Sequence, residues 1–211
     1  MGDVDSDGDV DVFVANDGAV NQLYINDGSG SFVESGSGWG VAGGASDRSF
    51  GCAFGDVDGN GHIDLMVVLH GGANQLYMSD GVSSSSLTEE AGARGVNSTS
   101  LAYSATMGDV TGDGFIDMYV GVAGANELYI NGGGAMPMSE ETASRGVNSS
   151  TDSRSVAMGD VTGDGFIDLY VSVNGADNEL YINDGSGVFT EEAGGRGAST
   201  GGSTSQSLMV D

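Results

Sequence analysis

Carboxylates at alternate positions mark a nine-residue loop that occurs four times along the chain. In the first copy, Asp3, Asp5 and Asp7 occupy loop positions 1, 3 and 5, and Asp11 closes the loop from position 9. A glycine at position 6, Gly8, permits the sharp turn that points these side chains inward. Because carboxylates this close repel one another, the loop favours a bound divalent cation.

The ligand atoms that the four loops offer are oxygens, without clustered His or Cys side chains. Calcium takes about six to eight oxygen ligands at flexible geometry, whereas magnesium usually keeps several waters and zinc or copper favours nitrogen or sulfur. The sequence therefore predicts one Ca²⁺ per loop, about four in total. The predicted ligands, in which position 7 contributes its backbone carbonyl, are Asp3, Asp5, Asp7, Asp9 and Asp11; Asp56, Asp58, Asn60, His62 and Asp64; Asp109, Thr111, Asp113, Phe115 and Asp117; and Asp160, Thr162, Asp164, Phe166 and Asp168.

These loops differ from EF-hands, which need a bidentate Glu at position 12 and an exiting helix. Position 12 is a valine inside an apolar run in each copy, namely Val14, Val67, Val120 and Val171. We therefore expect the ion to tether two strands and to stabilise the fold rather than act as a sensor. The first loop has four carboxylates, whereas Thr111 and Thr162 each replace one in later copies, so the first loop is expected to bind most tightly.

Each loop opens a larger unit that recurs four times. The motif Gly-Asp-Val begins at residues 2, 55, 108 and 159, so successive units start 53, 53 and 51 residues apart. An Asn-Gln/Glu-Leu-Tyr-Ile/Met run follows at 21–25, 74–78, 126–130 and 178–182, and a third, Glu-containing landmark follows that run. Three landmarks in a fixed order identify a repeat protein.

Four short strands are predicted in each unit. β-Branched and aromatic residues fill the runs 11–14, 64–68, 117–120 and 168–171, and the Leu-Tyr runs form a second strand. A third strand is predicted at 31–33 and 188–190, and a fourth precedes the acidic loop at 49–54, 102–107 and 153–158. Four strands in about 50 residues are typical of a β-propeller blade. The predicted fold is all-β, a single four-bladed propeller domain over residues 1–211.

The ends of the chain suggest how such a ring closes. Segment 205–211 resembles 153–158, and the first unit lacks the strand that should precede its acidic loop. We expect the C-terminal strand to complete the first blade, which would remove an exposed sheet edge. Two arrangements remain open: closure within one chain, or strand exchange with a neighbour, which would build a head-to-tail filament.

An acidic loop followed by a Leu-Tyr-Val-type strand, as at 2–14 and 159–171, resembles the FG-GAP/VCBS repeats of integrin α-subunit propellers and of many bacterial and algal surface proteins. The resemblance covers essentially the whole chain. It implies a β-propeller that binds extracellular calcium and that takes part in adhesion, matrix or carbohydrate binding. Propellers of that family usually have seven blades, so four repeats depart from the pattern: the chain is either a compact four-bladed ring or a piece of a longer propeller.

Charge excludes several classes of function. Asp and Glu number 31 against five Arg and no Lys, which gives a formal net charge of −26. Nothing in this composition could neutralise the phosphates of a nucleic acid.

No apolar run approaches the roughly 20 residues that span a bilayer. With two His, no Lys and no nucleophile or phosphate-binding motif in a convincing context, catalysis is not expected.

Two further marks concern the surface. Asn97 and Asn148 begin N-glycosylation sequons at equivalent places in the second and third units. Arg94, Arg145 and Arg196 recur shortly after the Glu pairs, and we expect them to pair with acidic neighbours.

These observations favour an extracellular or cell-surface location and a structural or adhesive role, as a subunit of a surface, matrix or fibre assembly. The partners would then be other protein subunits. The alternative is a carbohydrate-binding lectin with sites between blades, whose partners would be glycans.

Overall fold

The computed structural model describes residues 1–81, 86–133 and 137–200, and the backbone of residues 202–203. Nearly all of its regular structure is β-strand. The strands are β1 (Val12–Val14), β2 (Gln22–Asn26), β3 (Phe32–Glu34), β4 (Ser49–Gly55), β5 (Asp64–Leu69), β6 (Gln75–Met78), β7 (Thr88–Glu89), β8 (Ala102–Gly108), β9 (Asp117–Val122), β10 (Glu127–Ile130), β11 (Ser139–Glu140), β12 (Ser153–Gly159), β13 (Asp168–Ala176), β14 (Glu179–Asn183), β15 (Phe189–Glu191) and β16 (Gly202–Ser203). Two one-turn helices, α1 (Ala91–Arg94) and α2 (Ala193–Arg196), accompany them.

The described strands form four antiparallel sheets, one for each repeat unit. Sheet 1 has the order β1-β2-β3, sheet 2 has β4-β5-β6-β7, and sheet 3 has β8-β9-β10-β11. Sheet 4 has β12-β13-β14-β15, and β16 pairs with the far end of β13. Apart from the β13–β16 pair, neighbouring strands are consecutive in the chain, as hairpin connections require. The predicted all-β architecture is confirmed.

Every acidic loop is closed by the same backbone pairing. Glycine and aspartate pair across the loop as Gly55 with Asp64, Gly108 with Asp117, and Gly159 with Asp168. An isolated bridge between Gly2 and Asp11 repeats this arrangement at the start of sheet 1. Because the loop follows the first strand and precedes the second in sheets 2 to 4, the acidic loops lie at the same end of their sheets.

Apolar contacts join consecutive sheets through both faces of their strands. All six residues of β5 are buried, and their side chains alternate between two clusters. Leu65 and Val67 belong to the cluster shared with sheet 1, while Met66 and Val68 belong to the cluster shared with sheet 3. A third cluster joins sheets 3 and 4, where Tyr119 packs in the same group as Leu169 and its neighbours. The four sheets are therefore stacked in sequence order.

The strand predicted to complete the first blade, segment 205–211, lies outside the described residues. The helices α1 and α2 were not predicted; each ends at a glycine with positive φ, 73° at Gly95 and 72° at Gly197, as helix C-termini commonly do. The described residues form no other α-helix, and neither α1 nor α2 is long and apolar enough to cross a membrane.

Candidate metal centre

One aspartate in each acidic loop is completely buried and fastens the loop to its sheet. These residues, Asp11, Asp64, Asp117 and Asp168, are each 0% exposed. One carboxylate oxygen of each accepts a hydrogen bond from the loop backbone, at Val4, Val57, Val110 and Val161. The other oxygen accepts from the backbone at the end of the next strand, at Asn26, Ser79, Asn131 and Asn183, and all eight distances are 2.8–3.0 Å. The sequence placed these residues among the ligands but did not show that they join loop and strand.

The aspartate at position 1 holds the turn. Asp3, Asp56, Asp109 and Asp160 each accept a bond from the backbone N–H of the glycine at position 6, at 2.7–3.0 Å. These glycines have φ between 86° and 97°, a region that disfavours side chains. The expected role of glycine at position 6 is therefore borne out in all four loops.

The structure divides the loops into two classes. Carboxylate oxygens of Asp3, Asp5 and Asp11 lie within 4.8 Å of one another, and so do those of Asp56, Asp58 and Asp64. In the third and fourth loops, which the structure describes in full, the three aspartates do not form such a group. Position 3 there is a threonine, and the hydroxyls of Thr111 and Thr162 each lie 3.3 Å from the position 1 carboxylate and donate to it.

Side chains at position 5 bond to the loop itself. One oxygen of each accepts the position 7 backbone N–H, which pairs Asp7 with Asp9, Asn60 with His62, Asp113 with Phe115, and Asp164 with Phe166 at 2.8–3.0 Å. The sequence did not indicate what the position 7 rings contact. The Phe115 ring lies over Gly133 and the Phe166 ring lies over Gly185. A Cβ added at these glycines would come within 2.5 and 2.7 Å of the respective rings.

Burial and crowding raise the pKa of four carboxyl groups in the first three loops, those of Asp5, Asp11, Asp64 and Asp117. Burial raises the pKa of Asp64 from its ordinary value of 3.8 to about 7, and that of Asp117 to about 6, although two backbone N–H bonds to each act in the opposite direction. In the first loop the pKa values of Asp5 and Asp11 are raised, first by burial and also by neighbouring carboxylates. An all-oxygen group of this kind, in which the anionic form is disfavoured, fits a hard divalent cation.

The two sequon asparagines and the three repeated arginines have the surroundings that the sequence predicted. Asn97 and Asn148 are both exposed. The three repeated arginines pair with the glutamate four residues before them, Arg94 with Glu90, Arg145 with Glu141 and Arg196 with Glu192, at 2.7–3.0 Å. The predicted structural pairing of these arginines is confirmed.

A pocket of about 670 Å³ opens beside the loop between β9 and β10, at the end of sheet 3 opposite its acidic loop. Glu127, Tyr129 and Glu140 are among the residues that line it. No sequence motif had indicated this pocket. The available signal was the shorter spacing of the third unit, which begins at residue 108 and is followed by the next unit at 159.

Stacked antiparallel sheets of one repeated unit, each with an acidic oxygen-rich loop at the same end, define a β-propeller-like repeat protein with candidate cation sites. Residues 3–67, 56–120 and 109–171 each match the FG-GAP-like repeat. The chain therefore belongs to the FG-GAP-like repeat family, as the sequence motif indicated.

A lectin of known structure shares the fold. It is an Agrocybe aegerita lectin described for its specific recognition of non-reducing terminal N-acetylglucosamine, and it superposes with a TM-score of 0.53 at 19% sequence identity. The match covers 90% of this chain and 49% of the lectin chain, so this chain spans about half the length of that relative. No curated protein matches the chain.

Proposed function

We propose that the chain is an extracellular, calcium-stabilised β-propeller that acts as a non-catalytic structural or adhesive subunit of a cell-surface, matrix or fibre assembly. The main support is the fourfold repetition of a fully buried aspartate that joins an acidic loop to the neighbouring strand. An ion bound beside that carboxylate would neutralise the loop and tie the same two segments together. Calcium would therefore strengthen the scaffold.

The twenty residues predicted from the sequence are the proposed ligands, about four Ca²⁺ in total. Support is greatest for the first two loops, whose three carboxylates already lie within 4.8 Å of one another. The other two loops have three carboxylates each, one fewer than the first loop, and their aspartates do not form such a group, so the threonine hydroxyl and the carbonyls of Phe115 and Phe166 would have to supplement them. We therefore keep the expectation that the first loop binds most tightly.

A single four-bladed domain, closed by segment 205–211, remains part of this proposal. The chain leaves sheet 4 by the route that earlier units take to the next sheet. The hydroxyl of Tyr119 donates to the carbonyl of Val147 in the segment after sheet 3, and that of Tyr170 donates to Ala198 after sheet 4. The strand that follows could complete the first blade of its own chain or of a neighbouring subunit.

Calcium titration and electron microscopy of the same preparation test this function. Calorimetry of chelator-stripped protein should give about four bound Ca²⁺, and thermal unfolding should shift upward in calcium. Micrographs should show assemblies or closed particles that loosen on chelation. A protein whose stability and particles are unchanged by chelation would contradict the proposal.

Carbohydrate binding is the second candidate function. It is favoured by the pocket beside the β9–β10 loop, which carries two glutamates, and by the fold shared with a lectin. Binding of soluble sugars by discrete particles, without assembly, would favour this candidate over the structural role.

A further inference from the structure

The pocket beside sheet 3 exists because the third unit has a shorter loop. In each unit, an asparagine that precedes the second strand of the Leu-Tyr hairpin accepts a bond from a backbone N–H at the end of the strand before it. The paired residues are Asn16 and Asn21, Leu69 and Asn74, Val122 and Asn126, and Val173 and Asn178. The separation is five residues in three units and four residues in the third.

Side chains in this loop are also the smallest in the third unit. Ala123, Gly124 and Ala125 span the turn, where the second unit has His70 and the fourth has Asn174 at the start of the loop. The missing residue and the absence of any group larger than a methyl leave the space open. Its volume of about 670 Å³ falls within the range of about 300–1,000 Å³ that small-molecule sites occupy.

In sheet 3 the hydroxyl of Thr142 separates the Glu140 carboxylate from strand β10. In sheets 2 and 4 the equivalent glutamates accept directly from strand backbone, Glu89 from Leu76 and Glu191 from Leu180, both at 3.3 Å. In sheet 3 the hydroxyl of Thr142 accepts from the Leu128 N–H at 2.6 Å and donates to Glu140. The Glu140 carboxylate is therefore one hydroxyl further from the strand than its equivalents, and Glu140 lines the pocket.

A second carboxylate is held in place by hydroxyl groups. Oε1 of Glu127 accepts bonds from the hydroxyls of Ser98 and Ser100, both at 2.6 Å, and Oε2 accepts from Tyr129 at 2.9 Å. A carboxylate has about four acceptor positions, so one remains for a ligand. Neutral hydroxyl donors fix the orientation of this group without neutralising its charge.

We propose that this pocket binds a neutral saccharide. Two carboxylates and no Arg, Lys or His line it, which disfavours an anionic ligand on a chain of net charge −26. Sugar hydroxyls can donate charge-assisted hydrogen bonds to Glu127 and Glu140. The side chain of Leu101, which is 46% exposed, and the methyl groups of Ala123 and Ala125 provide an apolar edge for the C–H face of the ring. The inference rests on the second candidate function and names its site.

Matched variants of two equivalent loop positions test the site. Ala125 and Ala73 each directly precede the asparagine that closes their loop, Asn126 and Asn74, and both alanines are exposed, so tyrosine is expected to be tolerated at either position. Ala125→Tyr fills the pocket, whereas Ala73→Tyr adds the same side chain to the second unit. Glu127→Gln and Glu179→Gln form a second pair, since Glu179 also accepts from a serine and a tyrosine but lies outside the pocket lining.

Binding is measured by NMR titration in calcium with N-acetylglucosamine, its β1–4 disaccharide and glucosamine as probes. The protein is produced without N-glycans because Asn148 lines the pocket. We expect the neutral probes to bind, Ala125→Tyr to weaken binding at least tenfold, Glu127→Gln to weaken it severalfold, and both control variants to match the wild type.

Each other outcome overturns a defined part of the inference. Wild-type affinity in Ala125→Tyr would place sugar binding elsewhere and leave the second candidate function intact. Failure of the wild type to bind any neutral probe would overturn both the pocket and the second candidate function. Preference for the glucosamine cation, lost in Ala125→Tyr, would show that the pocket takes amines instead of neutral sugars.

Discussion

Asp64→Asn separates the cost of a buried carboxylate from the benefit of a bound ion. Without calcium, the pKa of Asp64 is about 7 in the folded chain against an ordinary value of 3.8. The folded state thus holds the proton more tightly than the unfolded state does. Its stability should fall as the pH rises between these values, by up to ~4 kcal/mol, because each pKa unit corresponds to about 1.4 kcal/mol.

Asparagine removes this pH dependence but has its own cost. Both oxygens of Asp64 accept backbone N–H groups, from Val57 and Ser79 at 2.8 Å. An amide can accept only one of them, and the unpaired N–H should cost ~1–3 kcal/mol. In chelator at pH 5, Asp64→Asn should therefore be less stable than wild type, and at pH 8 as stable or more stable.

Calcium should reverse the order at pH 8. An ion at 100 times its dissociation constant stabilises the folded wild type by about 2.7 kcal/mol, and the variant loses most of that gain. Urea unfolding, followed by fluorescence of the buried Trp39, measures all four conditions. Glu192→Gln, a change in a half-exposed surface ion pair, serves as the control and should stay within about 0.5 kcal/mol of wild type. Equal destabilisation of Asp64→Asn with and without calcium at pH 8 would refute the reasoning.

Three further changes address the loops and the core. Replacing Thr111 and Thr162 by Asp should raise the calcium affinity of the third and fourth loops by roughly tenfold, since each loop gains a charged ligand; calorimetry that shows unchanged affinity would contradict this. Gly165→Ala should lower the free energy of unfolding by ~1–2 kcal/mol because φ there is 92°, while Gly195→Ala in α2 should raise it by up to ~1 kcal/mol; thermal unfolding compares the two. Leu128→Ala should cost ~2–5 kcal/mol in urea unfolding, because this fully buried side chain fills the cluster between sheets 3 and 4; a loss below 1 kcal/mol would argue against that packing.

Repetition made the strands predictable. The strand that follows each acidic loop was expected at 11–14, 64–68, 117–120 and 168–171, and the structure has Val12–Val14, Asp64–Leu69, Asp117–Val122 and Asp168–Ala176. One weak β pattern would have been ambiguous, but four aligned copies share the same turns and apolar positions. The same repetition pointed to the loop carboxylates as candidate ligands.

Features that depend on a few residues were beyond the sequence pattern. Helices α1 and α2 have four residues each and contain glycines, so no helical period could appear; the Glu90–Arg94 and Glu192–Arg196 pairs span each turn instead. Thr142 looks like an ordinary loop residue until its hydroxyl is seen between Leu128 and Glu140. Repeat averaging hides such single-unit differences, although they make the third unit distinct.

The acidic loop and the pocket of the third unit lie at opposite ends of one strand. Strand β9 begins at Asp117, which fastens the loop, and ends at Val122, which lines the pocket. An ion bound at one end of β9 and a sugar bound at the other would each favour the ordered strand over a state in which its ends are frayed. Their binding free energies should then be coupled, and the coupling must be the same in either direction. Chelation would therefore weaken sugar binding even though no pocket residue is a proposed calcium ligand.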